Sequence, residues 1–226
     1  MFKGTSASAG IGIGKAVIVE EAELVITRNE VADAEAEIQR FKGALEKTIA
    51  ATQKMADDLA SRVGEKEAEI MQGHMMLLSD PMLTGEIENS VKNDKVNSEF
   101  AIENVCNMYA DMFASMGDEL MQQRATDMRD IKVRMQRTLM GLESVDVSLL
   151  PKGSILVAKD LTPSMTAGIN PENVSGIVTE LGGKTSHSAI LARALEIPAV
   201  VAVNGLMDAV KEVTWLFLTE AQGRYW

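Results

Sequence analysis

The chain has 226 residues, 46% of them apolar, one cysteine and a formal net charge of −11. A chain of this length can bury roughly 70% of its unfolded surface and needs no staples; the single Cys106 excludes an internal disulfide and fits a reducing cytoplasm. No run approaches the ~18 apolar residues of a membrane span, and the opening Met1-Phe2-Lys3-Gly4-Thr5 lacks a signal peptide's apolar stretch, so a soluble, intracellular protein is expected.

The charge is unevenly placed. Residues 21–150 hold 25 acidic and 14 basic side chains, a net of −11, while the rest holds 8 of each. Such a field repels nucleic acid and anionic membrane and steers a basic protein partner. A solvated helical surface kept soluble by its charge explains the same excess.

In chain order, residues 10–19 are rich in glycine and β-branched side chains and predict a strand. After Thr27 the texture changes. Val31, Ala34, Ile38, Phe41, Leu45, Ile49, Thr52, Met55 and Leu59 recur every three or four residues, one face of a helix of about thirty residues. Gly64 interrupts it, and a second helical pattern runs over residues 66–78. Ser79-Asp80-Pro81 marks a turn or the start of another helix. Ile102, Val105, Tyr109, Met112 and Met116 form a further stripe, broken at Gly117-Asp118; Met128, Ile131, Met135, Leu139 and Leu142 form the last. With one proline between Thr27 and Leu150, an antiparallel helical bundle is the natural packing. Twelve of the fifteen methionines lie in it, as core filler or as an adaptable surface.

Short elements return from Pro151. Residues 154–158, 174–179 and 199–203 read as strands, and Thr162-Pro163 as an N-cap with proline at the first helical position. Residues 188–195 read as a helix that must stop before Pro198, and residues 215–218 as a final strand. The simplest organisation is an α/β domain built from residues 1–24 and 143–226, with a helical bundle of residues 25–142 inserted in it.

Leu181-Gly182-Gly183-Lys184-Thr185-Ser186-His187-Ser188 joins a strand to a helix. Paired glycines permit close backbone approach, and a helix N-terminus offers N–H groups and partial positive charge to a phosphate. Lys184 adds a mobile cation; Thr185, Ser186 and Ser188 add hydroxyls. At a helix start the dipole disfavours imidazolium, which leaves a His187 ring nitrogen able to attack. Neutral histidine beside a prepared anion site is what histidine phosphorylation requires. A P-loop would need glycine where Val178 stands. A dinucleotide fingerprint from Gly10-x-Gly12 fails at Lys15. Two histidines and no nearby cysteine give no metal site. His187 as a plain helix-capping residue stays open on this evidence.

The run Gly182-Gly-Lys-Thr-Ser-His187-Ser188-Ala-Ile-Leu-Ala-Arg193-Ala-Leu-Glu-Ile-Pro198-Ala-Val-Val201 resembles the phosphohistidine signature of phosphoenolpyruvate-utilising enzymes. Three further features resemble Enzyme I of the bacterial sugar phosphotransferase system. They are the opening Gly4-Thr-Ser-Ala-Ser-Ala-Gly10-Ile-Gly-Ile-Gly-Lys15-Ala16, the stretch Leu161-Thr-Pro-Ser-Met-Thr166, and an acidic insert holding Gln72-Gly-His-Met-Met-Leu-Leu78 and Arg124-Ala-Thr-Asp-Met-Arg-Asp130. The resemblance covers nearly the whole chain.

The resemblance implies an α/β phosphohistidine (swivelling) domain with an inserted antiparallel α-helical bundle. His187 would accept, on Nε2, a phosphoryl group originating from phosphoenolpyruvate on a separate C-terminal barrel. It would pass the group to a histidine of the phosphocarrier HPr. Thr166 matches the threonine that orients this histidine, and Gly183, Lys184, Thr185, Ser186 and Ser188 would bind the phosphate. Glu65, His74, Met76, Leu77, Asp80, Met121 and Arg124 fall where the family meets HPr. His74 reads equally as a core histidine, Met76 and Leu77 as core, and Arg124 as an ion-pair partner of Asp127 or Glu119. Arg193 reads as a phosphate sensor or a structural ion pair.

No cofactor is implied for this chain; magnesium belongs with the missing barrel, as does the family's dimer contact, so a cytoplasmic monomer unable to use phosphoenolpyruvate alone is expected. The tail, residues 211–226, keeps a strand texture but drifts from the family pattern, which leaves the last strand's completeness open. The sugars transported are not legible. Two alternatives remain: the swivelling phosphohistidine domain of a dikinase or phosphoenolpyruvate synthase, and a non-catalytic acidic module that binds a basic partner with His187 structural.

Overall fold

Alternation explains how the glycine-rich opening enters a sheet. In β3 (Ile11–Ile18), Ile11, Ile13 and Lys15 face outward while Gly12, Gly14 and Ala16 are buried. A Cβ at Gly12 would lie 2.5 Å from the Ser175 carbonyl oxygen, and one at Gly14 would collide with the Gly153 carbonyl. Only a strand without side chains at those two positions can pass so close to its neighbours. The structure, a computed structural model, describes residues 2–211, 214–219 and 224–225; the predicted final strand, residues 215–218, falls within them, while the completeness of the tail after it falls on residues outside the described ones.

The other strands are β1 (Phe2–Lys3), β2 (Thr5–Ser8), β4 (Ser154–Ala158), β5 (Val174–Thr179), β6 (Ala199–Val201), β7 (Trp215–Thr219) and β8 (Arg224–Tyr225). Among the described residues they form one sheet ordered β1-β8-β7-β3-β4-β5-β6-β2. The four strands from β3 to β6 pair in parallel, and the remaining pairs are antiparallel. The first eighteen residues thus supply both edges and a central strand, where the sequence predicted a single strand over residues 10–19.

All five residues of β4 are buried, the expected texture of a parallel strand covered on both faces. Leu156 and Ala158 pack with Ile177, Ala189 and Ala192 on one face; Ile155 and Val157 pack with Val178, Val200, Leu206 and Leu218 on the other. The covering helices are α6 (Pro163–Ala167), α7 (His187–Ala194) and α8 (Leu206–Ala209). These positions follow from the period of two along each strand.

Between β3 and β4 run α1 (Ala34–Arg62), α2 (Glu65–Leu78), α3 (Pro81–Asp94), α4 (Ser98–Ser115) and α5 (Glu119–Met140). The buried face of α1 is centred on Ala44, Thr48, Thr52 and Ala56 between Ile38, Phe41 and Leu59. Leu45, Ile49 and Met55, members of the predicted stripe, are only partly buried. Small residues let neighbouring helices approach, and the threonine hydroxyls bond both within the helix and across it: Thr48 donates to the Ala44 carbonyl at 2.9 Å and Thr52 to the Thr48 carbonyl at 2.7 Å, while Thr52 Oγ1 accepts from Arg134 Nη2 of α5 at 2.6 Å. Helix α3, foreshadowed only by its starting turn, is capped by Asp80, which accepts from the Met82 N–H at 2.8 Å, with Pro81 in the first turn. Its apolar face is just Leu83, Ile87 and Val91, too sparse a stripe to stand out in sequence.

Two compact units result: residues 1–21, 61–67 and 145–226 form one, residues 22–60 and 68–144 the other. The sequence-predicted boundaries at 24/25 and 142/143 lie within a few residues of these. The assignment of residues 61–67 to the first unit was not foreseen. Among the described residues no helix is long and apolar enough to cross a membrane.

Candidate functional site

The segment 180–188 turns from β5 into α7. Gly182 has φ +97°, a conformation that favours glycine, and an added Cβ would lie 3.6 Å from Thr179 Oγ1, 3.7 Å from Ser186 Oγ and 3.8 Å from Asp160 Oδ1. Around Gly183 such an atom would meet nothing within 4 Å, so the loop's second glycine borders open space. Ser186 caps α7: its Oγ accepts from the Ala189 N–H at 3.3 Å and donates to the Gly183 carbonyl at 2.8 Å. Ser188 Oγ is 2.9 Å from Ser186 Oγ, and Ser188 is buried. These two hydroxyls therefore shape the turn first, while Lys184 and Thr185 are the exposed members of the predicted phosphate-binding set.

His187 is the first residue of α7 and is 9% exposed, so the ring is largely sheltered by the protein. Helix α6 packs against α7. Thr166, 1% exposed, donates its hydroxyl proton to the Thr162 carbonyl at 2.7 Å. That commitment leaves the oxygen lone pairs of Thr166 to accept a hydrogen bond, the role an orienting partner of an imidazole N–H requires. Thr162 in turn caps α6, accepting from the Met165 N–H at 3.3 Å.

Three neighbours were not assigned these roles from sequence. Arg193 Nη1 donates to the carbonyls of Ala7 at 2.9 Å and Lys184 at 3.0 Å, which ties the loop to β2. These carbonyl bonds are neither of the two roles weighed for it in the sequence. Arg62 donates to the carbonyls of Ala167 at 2.6 Å and Ile169 at 2.9 Å, closing the C-terminal end of α6 where carbonyls lack helical donors. Asp160 accepts from the Leu161 N–H at 2.8 Å. Burial raises its carboxyl above the usual range, against the lowering effect of that hydrogen bond. A lone basic residue at a helix end and an acid between a strand and a turn carry no distinctive sequence signal, which is why both were missed.

The residues predicted to meet a partner separate by exposure. Glu65 and Met76 are exposed, Met76 at 71%. Leu77 is partly buried against the helical core, Asp80 caps α3, and Met121 donates its N–H to Asp118 at the start of α5. His74 must be corrected: it is 0% exposed, with Nε2 3.1 Å from Asp127 Oδ1. A side chain without accessible surface does not touch a docked protein, so of the two readings the buried one describes His74. Arg124, one-third exposed, pairs with Asp127 at 3.6 Å as anticipated. Among the described residues no group of three or more His, Cys, Asp or Glu side chains is arranged to hold a metal ion.

With this geometry in hand, comparison with known proteins places the chain. The family described as "PEP-utilising enzyme, N-terminal" matches residues 3–124, and "PEP-utilising enzyme, mobile domain" matches residues 150–223. The chain belongs to the PEP-utilising enzymes. Within them it matches the N-terminal part of Enzyme I. It is 41% identical over 210 residues to the phosphoenolpyruvate-protein phosphotransferase of Bacillus subtilis, covering 93% of this chain and 37% of that protein. To that of Listeria monocytogenes it is 43% identical over 209 residues, 92% of this chain and 36% of that one. The solution structure of an Enzyme I fragment (nEIt) superposes with a TM-score of 0.85 at 37% identity, covering all of this chain and 92% of the other. The chain thus spans little more than a third of the length of those full-length relatives.

Proposed function

We propose that this chain is the phosphoryl-transfer portion of Enzyme I. His187 accepts a phosphoryl group originating from phosphoenolpyruvate and passes it to a histidine of HPr. The observation that carries the reading is His187 at the first position of α7, behind a glycine turn whose exposed members are Lys184 and Thr185. Exchange with the carrier is balanced: a ring nitrogen of His187 attacks the phosphorus of phospho-HPr, the new N–P bond forms as the carrier's N–P bond breaks, and the carrier's imidazole leaves with the electron pair. Helix α7's N-terminus and Lys184 offset the charge of the transferring group, and Thr166 fixes the ring so that attack needs no reorientation.

The acidic insert suits a partner with a basic rim around its own histidine, with Glu65, Met76, Leu77, Asp80, Met121 and Arg124 as the meeting residues. In this reading phosphoenolpyruvate and magnesium bind a separate C-terminal barrel, and this portion uses no cofactor of its own. It works in the cytoplasm, as a monomer, relaying phosphate between two partners. The test is to incubate the purified chain with phospho-HPr and follow acid-labile phosphate by intact mass, beside His187→Ala. Label on the wild type alone is the expected result; label on neither, with both folded, sinks the proposal and favours a plain binding module.

A further inference from the structure

Two sequence segments, Gln72 to Leu78 and Arg124 to Asp130, meet in one side-chain cluster. His74 stands between two carboxylates of α5: Nε2 is 3.1 Å from Asp127 Oδ1, and Nδ1 is 3.7 Å from Asp130 Oδ2. All three side chains are 6% exposed or less. Asp127's second oxygen, Oδ2, lies 3.6 Å from Arg124 Nη1, and the arginine side chain is 34% exposed. The buried histidine thereby holds the carboxylate that holds a surface cation.

The seat of that cation is a glycine. A Cβ at Gly73 would lie 2.5 Å from Arg124 Nη1 and 3.6 Å from its Cζ, whereas at Gly43 in α1 and Gly85 in α3 a Cβ would meet nothing within 4 Å. Glycine inside a helix is costly relative to alanine, and at Gly73 the space of the missing methyl is filled by a guanidinium. Met76, three residues along α2, shares this face and is 71% exposed; Met121 precedes Arg124 by three on α5.

We infer that Gly73 is a positioning residue for partner docking: its bare backbone seats Arg124, backed by Asp127 and His74, so that one oriented guanidinium stands beside exposed Met76 and half-buried Met121 on a unit of net negative charge. An Arg fork held in place donates to a carbonyl or carboxylate of the docked carrier without first losing side-chain freedom. This inference rests on the docking role proposed above for that face.

The opposed effects of one methyl provide the test. Gly73→Ala improves helix propensity, and the only close neighbour it displaces is the end of a flexible side chain, so the variant folds with an unchanged or raised melting temperature. With phospho-HPr as substrate its KM rises about three- to tenfold at unchanged kcat. In an Arg124→Ala background the same substitution leaves KM where Arg124→Ala alone put it. Gly73→Ala with the wild-type KM, while Arg124→Ala raises it, overturns the inference. So does a Gly73→Ala effect on KM that persists without Arg124. A wild-type chain that takes no phosphate from phospho-HPr fails before any variant is compared, and overturns the docking reading itself.

Discussion

Asp160 shows how a single buried side chain can cost stability beside the glycine turn that precedes His187. Burial favours its neutral form, so its folded carboxyl titrates above the unfolded one. The folded state then holds the proton more tightly. Stability is highest below the ordinary carboxylate range and declines as pH rises through and above it. Asp160→Asn, which keeps an acceptor for the Leu161 N–H, is expected to stabilise the chain at neutral pH. It should also flatten that decline, as urea unfolding at a series of pH values between 4 and 7 would read; an unchanged slope refutes the assignment. Thr166 lies at the same scale. Thr166→Val keeps its shape but removes both the donor to Thr162 and the acceptor lone pairs. Phosphate uptake by His187 from phospho-HPr should fall by about 10- to 100-fold through lost ring orientation, with the fold retained. Full activity in that variant would remove Thr166 from the site. His187, its glycines and Lys184 stood out in the sequence because they form a compact motif between a strand and a helix. Arg62 and the bond from Arg193 to Ala7 did not, because their partners lie 105 to 186 residues away in sequence, and Asp160 did not, because its shift comes from burial, which only the tertiary structure sets.

Elements differ in how well their sequence announces them. The N-caps at Asp80, Asp118, Thr162 and Ser186 are short polar side chains, each accepting a hydrogen bond from its helix's first turn, but the stripe that follows is plain after Asp118 and sparse after Asp80. The core of α1 was harder to locate: its buried face runs through Ala44, Thr48, Thr52 and Ala56, where small size rather than apolarity decides the packing. The same rule governs β3. Gly14→Ala places a methyl against the Gly153 backbone carbonyl, which cannot swing aside as a side chain can. A loss of about 1–3 kcal/mol is expected, read as a lower urea midpoint. A neutral outcome would mean that β3 and the residues before β4 slide apart freely.

For the whole molecule, the separation of charge is the property most open to test. The net −11 resides in residues 21–150, so approach of the proposed basic-rimmed carrier would be steered at long range and screened within about 8 Å at physiological salt. The KM for phospho-HPr should therefore rise with ionic strength between 20 and 300 mM salt (about those limits) while kcat holds. A flat response would assign recognition to the methionine surface alone. The sequence by itself determined the two textures and the compact histidine loop. Periodicity, capping chemistry and a compact motif are local, and local patterns survive in one dimension. Tertiary structure alone decided which strands became edges. It also decided that His74 is buried against Asp127 and Asp130 rather than exposed, and that the Arg124 guanidinium occupies the space beside Gly73. Those outcomes depend on which surfaces of distant segments meet, and close packing permits only the arrangement in which each missing atom is matched by a neighbour from elsewhere in the chain.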